Sequence, residues 1–185
     1  MTKGIILYQS KYGATKKYAD WLKEATGFDC METKKATLAA VQPYETIVLM
    51  GGVYASGVAG LSFLKKNIAA LKEKRLFIFA SGASPYDEAA IQQGKEHNLK
   101  GDLAGLPFFY GQGAWNMAGM TFGDRMLCKM LLKAVAKQDP STYEPWQKAL
   151  MEAGSDTVCD WTDKANLEPL LAAINGGQRA HILLC

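Results

Sequence analysis

Short uninterrupted apolar runs alternate along the chain with longer stretches whose apolar residues recur every three or four positions. The runs lie at residues 4–8 (GIILY), 46–50 (TIVLM), 76–80 (LFIFA) and 106–110 (LPFFY), with a weaker one at 28–32. Apolar runs without polar alternation predict strands buried on both faces, as in a parallel sheet covered by helices. Between them, residues 14–25 carry Tyr18, Trp21, Leu22 and Ala25 at helical spacing, and Gly27 is placed to end that helix. Residues 61–71 predict a second helix burying Phe63, Leu64, Ile68 and Leu71, and residues 87–97 a third. Strand–helix–strand repetition with right-handed crossovers gives a doubly wound α/β sheet. No internal repeat or linker interrupts it, so a single domain over residues 1–177 with a tail at 178–185 is expected.

The last third departs from this alternation. Residues 111–116, with Trp115, predict a loop of small residues. A long helix follows at 121–137, opened by Thr121 and Asp124 in the shape of a capping box and closed by Asp139-Pro140. A short helix at 144–153, a strand at 157–161 and a closing helix at 163–174, stopped by Gly176 and Gly177, complete the reading. Residues 114–160 therefore form an insert after the fifth strand. In the 121–137 helix, Arg125, Lys129, Lys133 and Lys137 recur every four residues as a basic row. Phe122, Met126, Leu127, Met130, Leu131, Leu132 and Val135 make an apolar arc wider than one packed face needs. Either the arc packs on the sheet edge and under the closing segment, or it docks a membrane, a quinone, an acidic partner or a second subunit in a homodimer.

Composition narrows the function. The 185 residues are 49% hydrophobic and 21% charged, enough for one core and unlike a disordered chain. A net charge of +3, with no basic cluster interleaved with stacking aromatics, argues against nucleic acid. Four scattered cysteines and two histidines argue against a structural metal or a disulfide framework. The first apolar run is too short for a signal peptide, and no run approaches the roughly 18 residues of a membrane span. A cytoplasmic protein is expected, with peripheral contact at the inner membrane face through the 121–137 helix as the further option.

Parallel sheets bind ligands beyond the carboxyl ends of their strands, where strand order reverses. After the first strand come Ser10, Lys11, Tyr12, Gly13, Ala14 and Thr15, running straight into a helix. Hydroxyls, a cation and small residues at a helix N-terminus suit a phosphate, although an ordinary capped turn uses the same residue types. The loop is neither G-x-G-x-x-G nor a P-loop. Lys11 reads equally as a phosphate counter-ion or a solvated lysine. After the third strand come Gly51, Gly52, Val53, Tyr54, Ala55, Ser56 and Gly57, and after the fourth Ser81, Gly82, Ala83 and, further on, Tyr86. A planar heteroaromatic ring would fit between Tyr54 and Tyr86, with backbone amides meeting its polar edge, though tyrosines also fill ordinary interfaces. No catalytic histidine, paired carboxylates or nucleophile constellation is found, and Cys128, inside an apolar helix, reads as a core thiol.

These loops resemble the flavodoxin fold, whose five parallel strands run in the order 2-1-3-4-5. Ser10 to Thr15 is similar to the family's hydroxyl-rich FMN phosphate loop, with Tyr12 where many members have threonine. One subgroup, the menaquinone-dependent protoporphyrinogen dehydrogenases, is resembled by residues 51–57 followed by Phe63-Leu64-Lys65-Lys66. It is resembled also by Phe122-Gly123-Asp124-Arg125-Met126 with Lys129 and Met130, and by Asp160-Trp161-Thr162-Asp163. Together the likeness covers residues 3 to about 174. It implies FMN, held by the three loops, in an oxidoreductase passing electrons to a quinone. A flavodoxin-type electron carrier docking on a redox partner protein is the other activity it implies.

Overall fold

The computed structural model describes residues 3–155 and 157–182. The chain runs β1 (Gly4–Gln9), α1 (Ala14–Thr26), β2 (Asp29–Glu32), α2 (Leu38–Val41), β3 (Thr46–Tyr54), β4 (Gly57–Val58), α3 (Leu61–Leu71), β5 (Arg75–Gly82), α4 (Glu88–Asn98) and β6 (Phe108–Gln112). Five strands lie parallel in the order β2-β1-β3-β5-β6, and β4 pairs antiparallel with β3. With β4 set aside this is the expected order. The fifth parallel strand lies two residues later than its apolar run suggested.

The apolar runs take both faces because pairing is in register. Leu7, Leu49 and Ile78 line up across the sheet and face α3, where Leu61, Leu64, Ile68 and Leu71 are buried against them. Ile6, Val48 and Phe77 face the other way, onto Tyr18, Ala19 and Leu22 of α1. Each such side chain, fully buried, contributes about 1.5–3 kcal/mol relative to exposure. Gly27 ends α1 in the left-handed conformation, at φ 70°, with its N–H on the Lys23 carbonyl.

The insert carries its own small core. It comprises β7 (Ala114–Asn116), α5 (Phe122–Val135), α6 (Pro145–Ala153) and β8 (Val158–Asp160). β7 and β8 pair antiparallel, and Trp115, Met117, Val135, Leu150 and Ala153 are buried together. Residues 114–116 are thus a strand, not the expected loop. Their partner lies more than forty residues on, which no local pattern signals.

Two further expectations fail. Gly51 to Tyr54 continue β3, and only Ala55 and Ser56 turn, at φ 46° and 65°. Positive φ at both central residues is the geometry of a tight hairpin, here without its usual Asn-Gly signal. Nor do Gly176 and Gly177 stop the closing helix. A turn of 3₁₀ helix at Lys164–Leu167 leads into α7 (Glu168–Ile182), and Gly176 stays helical rather than turning left-handed as Gly27 does. Interior glycine costs about 1 kcal/mol, which weakens a helix without ending it. Leu170 and Ile174 anchor α7 on the sheet, and Arg75 donates to the Ala173 and Ile174 carbonyls at 3.1 and 2.7 Å. The expected tail at 178–185 is therefore helical to Ile182, and Cys185 lies outside the described residues.

The hairpin needs Gly51 bare. A Cβ there would collide with the Ala59 carbonyl oxygen and come within 2.7 Å of Val58 Cγ1. Gly51→Ala should cost about 1–3 kcal/mol in chemical denaturation. Gly123→Ala on α5, with nothing within 4 Å of the new methyl, should cost nothing; equal midpoints for both would refute the close approach.

Candidate functional site

Strand order reverses between β1 and β3, so the crevice beyond their carboxyl ends is where a ligand is expected. The loop after β1 makes one side of it. Gly13 sits at φ 98° and caps α1, and its N–H donates to Ser10 Oγ at 3.1 Å. Ala14 follows as the first residue of α1, whose first turn carries no acidic residue, and the amides of that turn have no intrahelical acceptor. The Lys11 backbone N–H donates to the Tyr54 hydroxyl at 3.2 Å, and the Tyr12 and Tyr54 rings meet edge to face at 6.3 Å. The loops after β1 and β3 are therefore joined.

Lys11 Nζ and the Tyr12 hydroxyl both donate to one carboxylate oxygen, Asp124 Oδ2 at the start of α5. Lys11, and after it Tyr12, hold the Asp124 carboxyl below its ordinary range, while Asp124 raises Lys11. Lys11 is thus paired with a side chain of the same protein while staying partly open to solvent, and the donors expected for a phosphate meet a carboxylate here. The expected capping box is half formed: Thr121 accepts from the Asp124 N–H, but the Asp124 carboxylate reaches outward, and the Thr121 N–H donates to the Tyr12 hydroxyl at 3.3 Å.

Thr15 is placed differently. It is buried, and its hydroxyl shares a 2.8 Å hydrogen bond with Ser81 Oγ at the end of β5. These two predicted residues tie the first and third loops together from beneath. Above them the Gln112 side chain donates to the Ala83 carbonyl at 3.0 Å, and Tyr110 donates to the Ser84 carbonyl at 2.6 Å. Burial pushes the Tyr110 phenol well above its ordinary value, so it stays a donor.

A cavity of about 720 Å³ opens beside these loops. Val53, Ala55 and Ser56 of the hairpin and Gly82, Ala83, Ser84 and Pro85 after β5 form one wall, with α4 beside them. The opposite wall belongs to the insert: Trp115, Leu131, Trp146, Leu150 and Trp161. Volume and apolar lining are those of a small-molecule site. Residues 10–15, Gly52, Tyr54 and Gly57 do not line it. Tyr54 folds toward the first loop, with its ring against Gly52. Tyr86, 68% exposed, stands in a separate shallow depression. The expected pairing of Tyr54 and Tyr86 about one ring is not what the structure shows.

Asp124 and Trp146 are the features that strand-end reasoning passed over. The one local hint was aspartate where a capping box prefers glutamate. The basic row is also broken: Arg125 turns inward, donating to the Ala118 and Met120 carbonyls at 2.9 and 3.0 Å. The apolar arc of α5 does not pack on the sheet edge. Phe122, Leu127 and Met130 are 79%, 66% and 62% exposed, with Met126 and Leu131 beside them. Cys128 is half-buried, and burial raises its thiol, as a core thiol requires.

The chain belongs to the flavodoxin-domain family, whose profile matches residues 5–142. The match reaches that family and not the dehydrogenase subgroup that the motifs resemble. No curated protein matches the chain in sequence. Among solved structures, it is similar to a WrbA-like flavodoxin from Agrobacterium tumefaciens at 18% identity, covering 68% of this chain and 88% of that one with a TM-score of 0.46. A putative flavoprotein from Bacteroides eggerthii is similar at 15% identity, covering 74% and 99%, with a TM-score of 0.45. A flavoprotein from Lactobacillus acidophilus, solved in complex with FMN, is similar at 17%, covering 60% and 93%, with a TM-score of 0.39.

The insert is held to α1 by Lys17 and Asp160, 2.8 Å apart. Lys17, with the Thr162 hydroxyl, lowers the Asp160 carboxyl to about 2. A depressed carboxyl stabilises the fold above its unfolded value of about 3.9 and loses that contribution as pH falls through the folded value. Because both groups are half-exposed, Asp160→Asn should cost no more than about 1 kcal/mol at pH 7. Thermal unfolding of the two proteins should begin to converge below about pH 4 and coincide near pH 1, below the folded value, and a difference as large there as at pH 7 would contradict the pairing.

Proposed function

We propose that the protein binds FMN across the carboxyl ends of β1, β3 and β5 and acts as an oxidoreductase. The observation that carries the reading is the pairing of an anion seat on the first loop with an aromatic-walled cavity at the neighbouring strand ends. Lys11 and Tyr12 would hold the phosphate, aided by Ser10, Gly13 and the first amides of α1. Hairpin residues Val53, Ala55 and Ser56, with Gly82 and Ala83, would border the ring. FMN, when bound, supplies one- or two-electron transfer, and the protein tunes it by the hydrogen bonds and charge placed near the ring. Family membership supports this reading.

A cavity whose far wall is built from three tryptophans and two leucines has room for a flat apolar reactant beside a flavin. Together with the short motifs, it favours a relative of the menaquinone-dependent protoporphyrinogen dehydrogenases over a carrier that reacts only with proteins. What the chain's own residues do is positional: they bury the reactant against the ring, exclude water, and keep Tyr110 protonated at the cavity edge. The test is in two stages. The apoprotein should take up FMN, and Lys11→Ala should weaken FMN by about tenfold or more while leaving riboflavin nearly unchanged. The loaded protein should then oxidise protoporphyrinogen anaerobically with a menaquinone analogue. Failure to bind FMN in excess would end the reading, and transfer to redox proteins alone would select the carrier.

The exposed face of α5 fits an anionic lipid surface. Phe122, Met126, Leu127, Met130 and Leu131 are exposed on a helix that also carries Lys129 and Lys133, with Lys137 in the turn just after it, all exposed, which is the make-up of an interfacial helix. Among the described residues no helix is long and apolar enough to cross a membrane. The protein should float with vesicles containing phosphatidylglycerol and not with neutral ones, and Lys129→Glu with Lys133→Glu should abolish flotation. Equal flotation of wild type and variant would refute the contact.

A further inference from the structure

We propose that Asp124 is a built-in stand-in for the ligand's phosphate: its carboxylate latches the insert over the first loop in the ligand-free chain and must leave when the phosphate arrives. The proposal rests on FMN as the ligand of that loop, but the latch itself is a property of the chain alone.

Four contacts define the latch. Lys11 Nζ and the Tyr12 hydroxyl donate to Asp124 Oδ2, the Thr121 N–H donates to the Tyr12 oxygen, and Tyr12 packs on Tyr54. All lie on the rim of the crevice and stay partly open to solvent, so an incoming anion can reach them. The chemistry of the seat is generic. A compact ammonium and a phenolic O–H recognise a carboxylate or a phosphate alike. A phosphate monoester carries about −1.5 to −2 near neutral pH, against −1 for the carboxylate, so it is the stronger partner for Lys11. Both anions cannot share the seat, because each would face the other's like charge with one lysine between them.

Displacement has a defined consequence. Asp124 is the third residue of α5, and Arg125 beside it binds the Ala118 and Met120 carbonyls, so residues 118–125 are tied into one unit. Releasing Asp124 frees that unit from the first loop while the β7–β8 pairing and the Lys17–Asp160 ion pair still hold the base of the insert. The start of α5, where Phe122 and Met126 are exposed, therefore changes its relation to the sheet on loading. Asp124 would also set specificity. It is a competitor that only a phosphorylated ligand displaces, so it penalises FMN relative to its own absence and leaves riboflavin unaffected.

The experiment compares wild type with Asp124→Asn, which keeps the size of the side chain and removes its charge. Without any ligand, amide hydrogen exchange over residues 118–125 should be faster in the variant by about fivefold, the effect of one surface ion pair. In wild type, inorganic phosphate at millimolar concentration should produce the same acceleration, and in the variant it should add nothing. In flavin titrations the variant should bind FMN about fivefold more tightly, with riboflavin unchanged. Unchanged exchange in the variant overturns the latch. Weaker FMN binding by the variant overturns the competition and makes Asp124 a helper of the ligand. Should neither protein bind FMN, the flavin reading fails by itself, and the phosphate arm still decides whether an anion displaces Asp124.

Discussion

Lys11 and Tyr12 meet a carboxylate carried by a residue more than a hundred positions away, and much of what distinguishes this chain from a bare five-stranded α/β domain depends on that contact. The contact exists because the sheet leaves no other place for chemistry. Its central strands are buried on both faces by α1, α3 and α7, so exposed polar groups gather where the strands end. At the reversal between β1 and β3 the loops splay, and a helix N-terminus, a lysine and two tyrosines collect around an opening. An unfilled cationic seat attracts whatever anion the chain can bring to it. The insert brings Asp124.

The insert then does two things with one core. Its tryptophans and leucines wall a cavity against the ends of β3, β5 and β6, and its first helix leaves an apolar face outside. Both surfaces hang from the same few ties to the parent domain: the Trp161 N–H on the Gly113 carbonyl at 2.9 Å, Lys17 to Asp160, and Asp124 to the first loop. The first two lie at the base of the insert and the third at the opening. A change of charge at the opening therefore bears on the position of a helix whose other end is fixed.

How much of this could be read from the sequence followed from how local each cause is. The runs at 4–8, 46–50 and 76–80 announced their strands because burial on both faces removes polar residues from five consecutive positions. Gly27 announced the end of α1 for an equally local reason, the left-handed turn. β3 was underestimated because Gly51 and Gly52 look like a loop, whereas Gly51 is bare where the returning chain at Val58 and Ala59 lies close against the strand, and the Tyr54 ring lies over Gly52. Gly176 misled in the opposite sense, since a glycine inside a helix weakens it without ending it. Of the expected site residues, Thr15 was read as a donor to a phosphate, and the fold instead gives its hydroxyl to Ser81, a partner no local pattern signals. The strand expected at 157–161 is β8, but its pairing with β7 and the contact of Asp124 were not legible, because each depends on which residues the completed fold brings together.

The most direct test is a crystal structure of the protein grown with FMN. The phosphate should lie on Lys11 and Tyr12, the ring against Val53, Ala55 and Gly82, and the Asp124 carboxylate should no longer be bonded to Lys11. A phosphate bound elsewhere, or one seated beside an Asp124 that still holds Lys11, would contradict it.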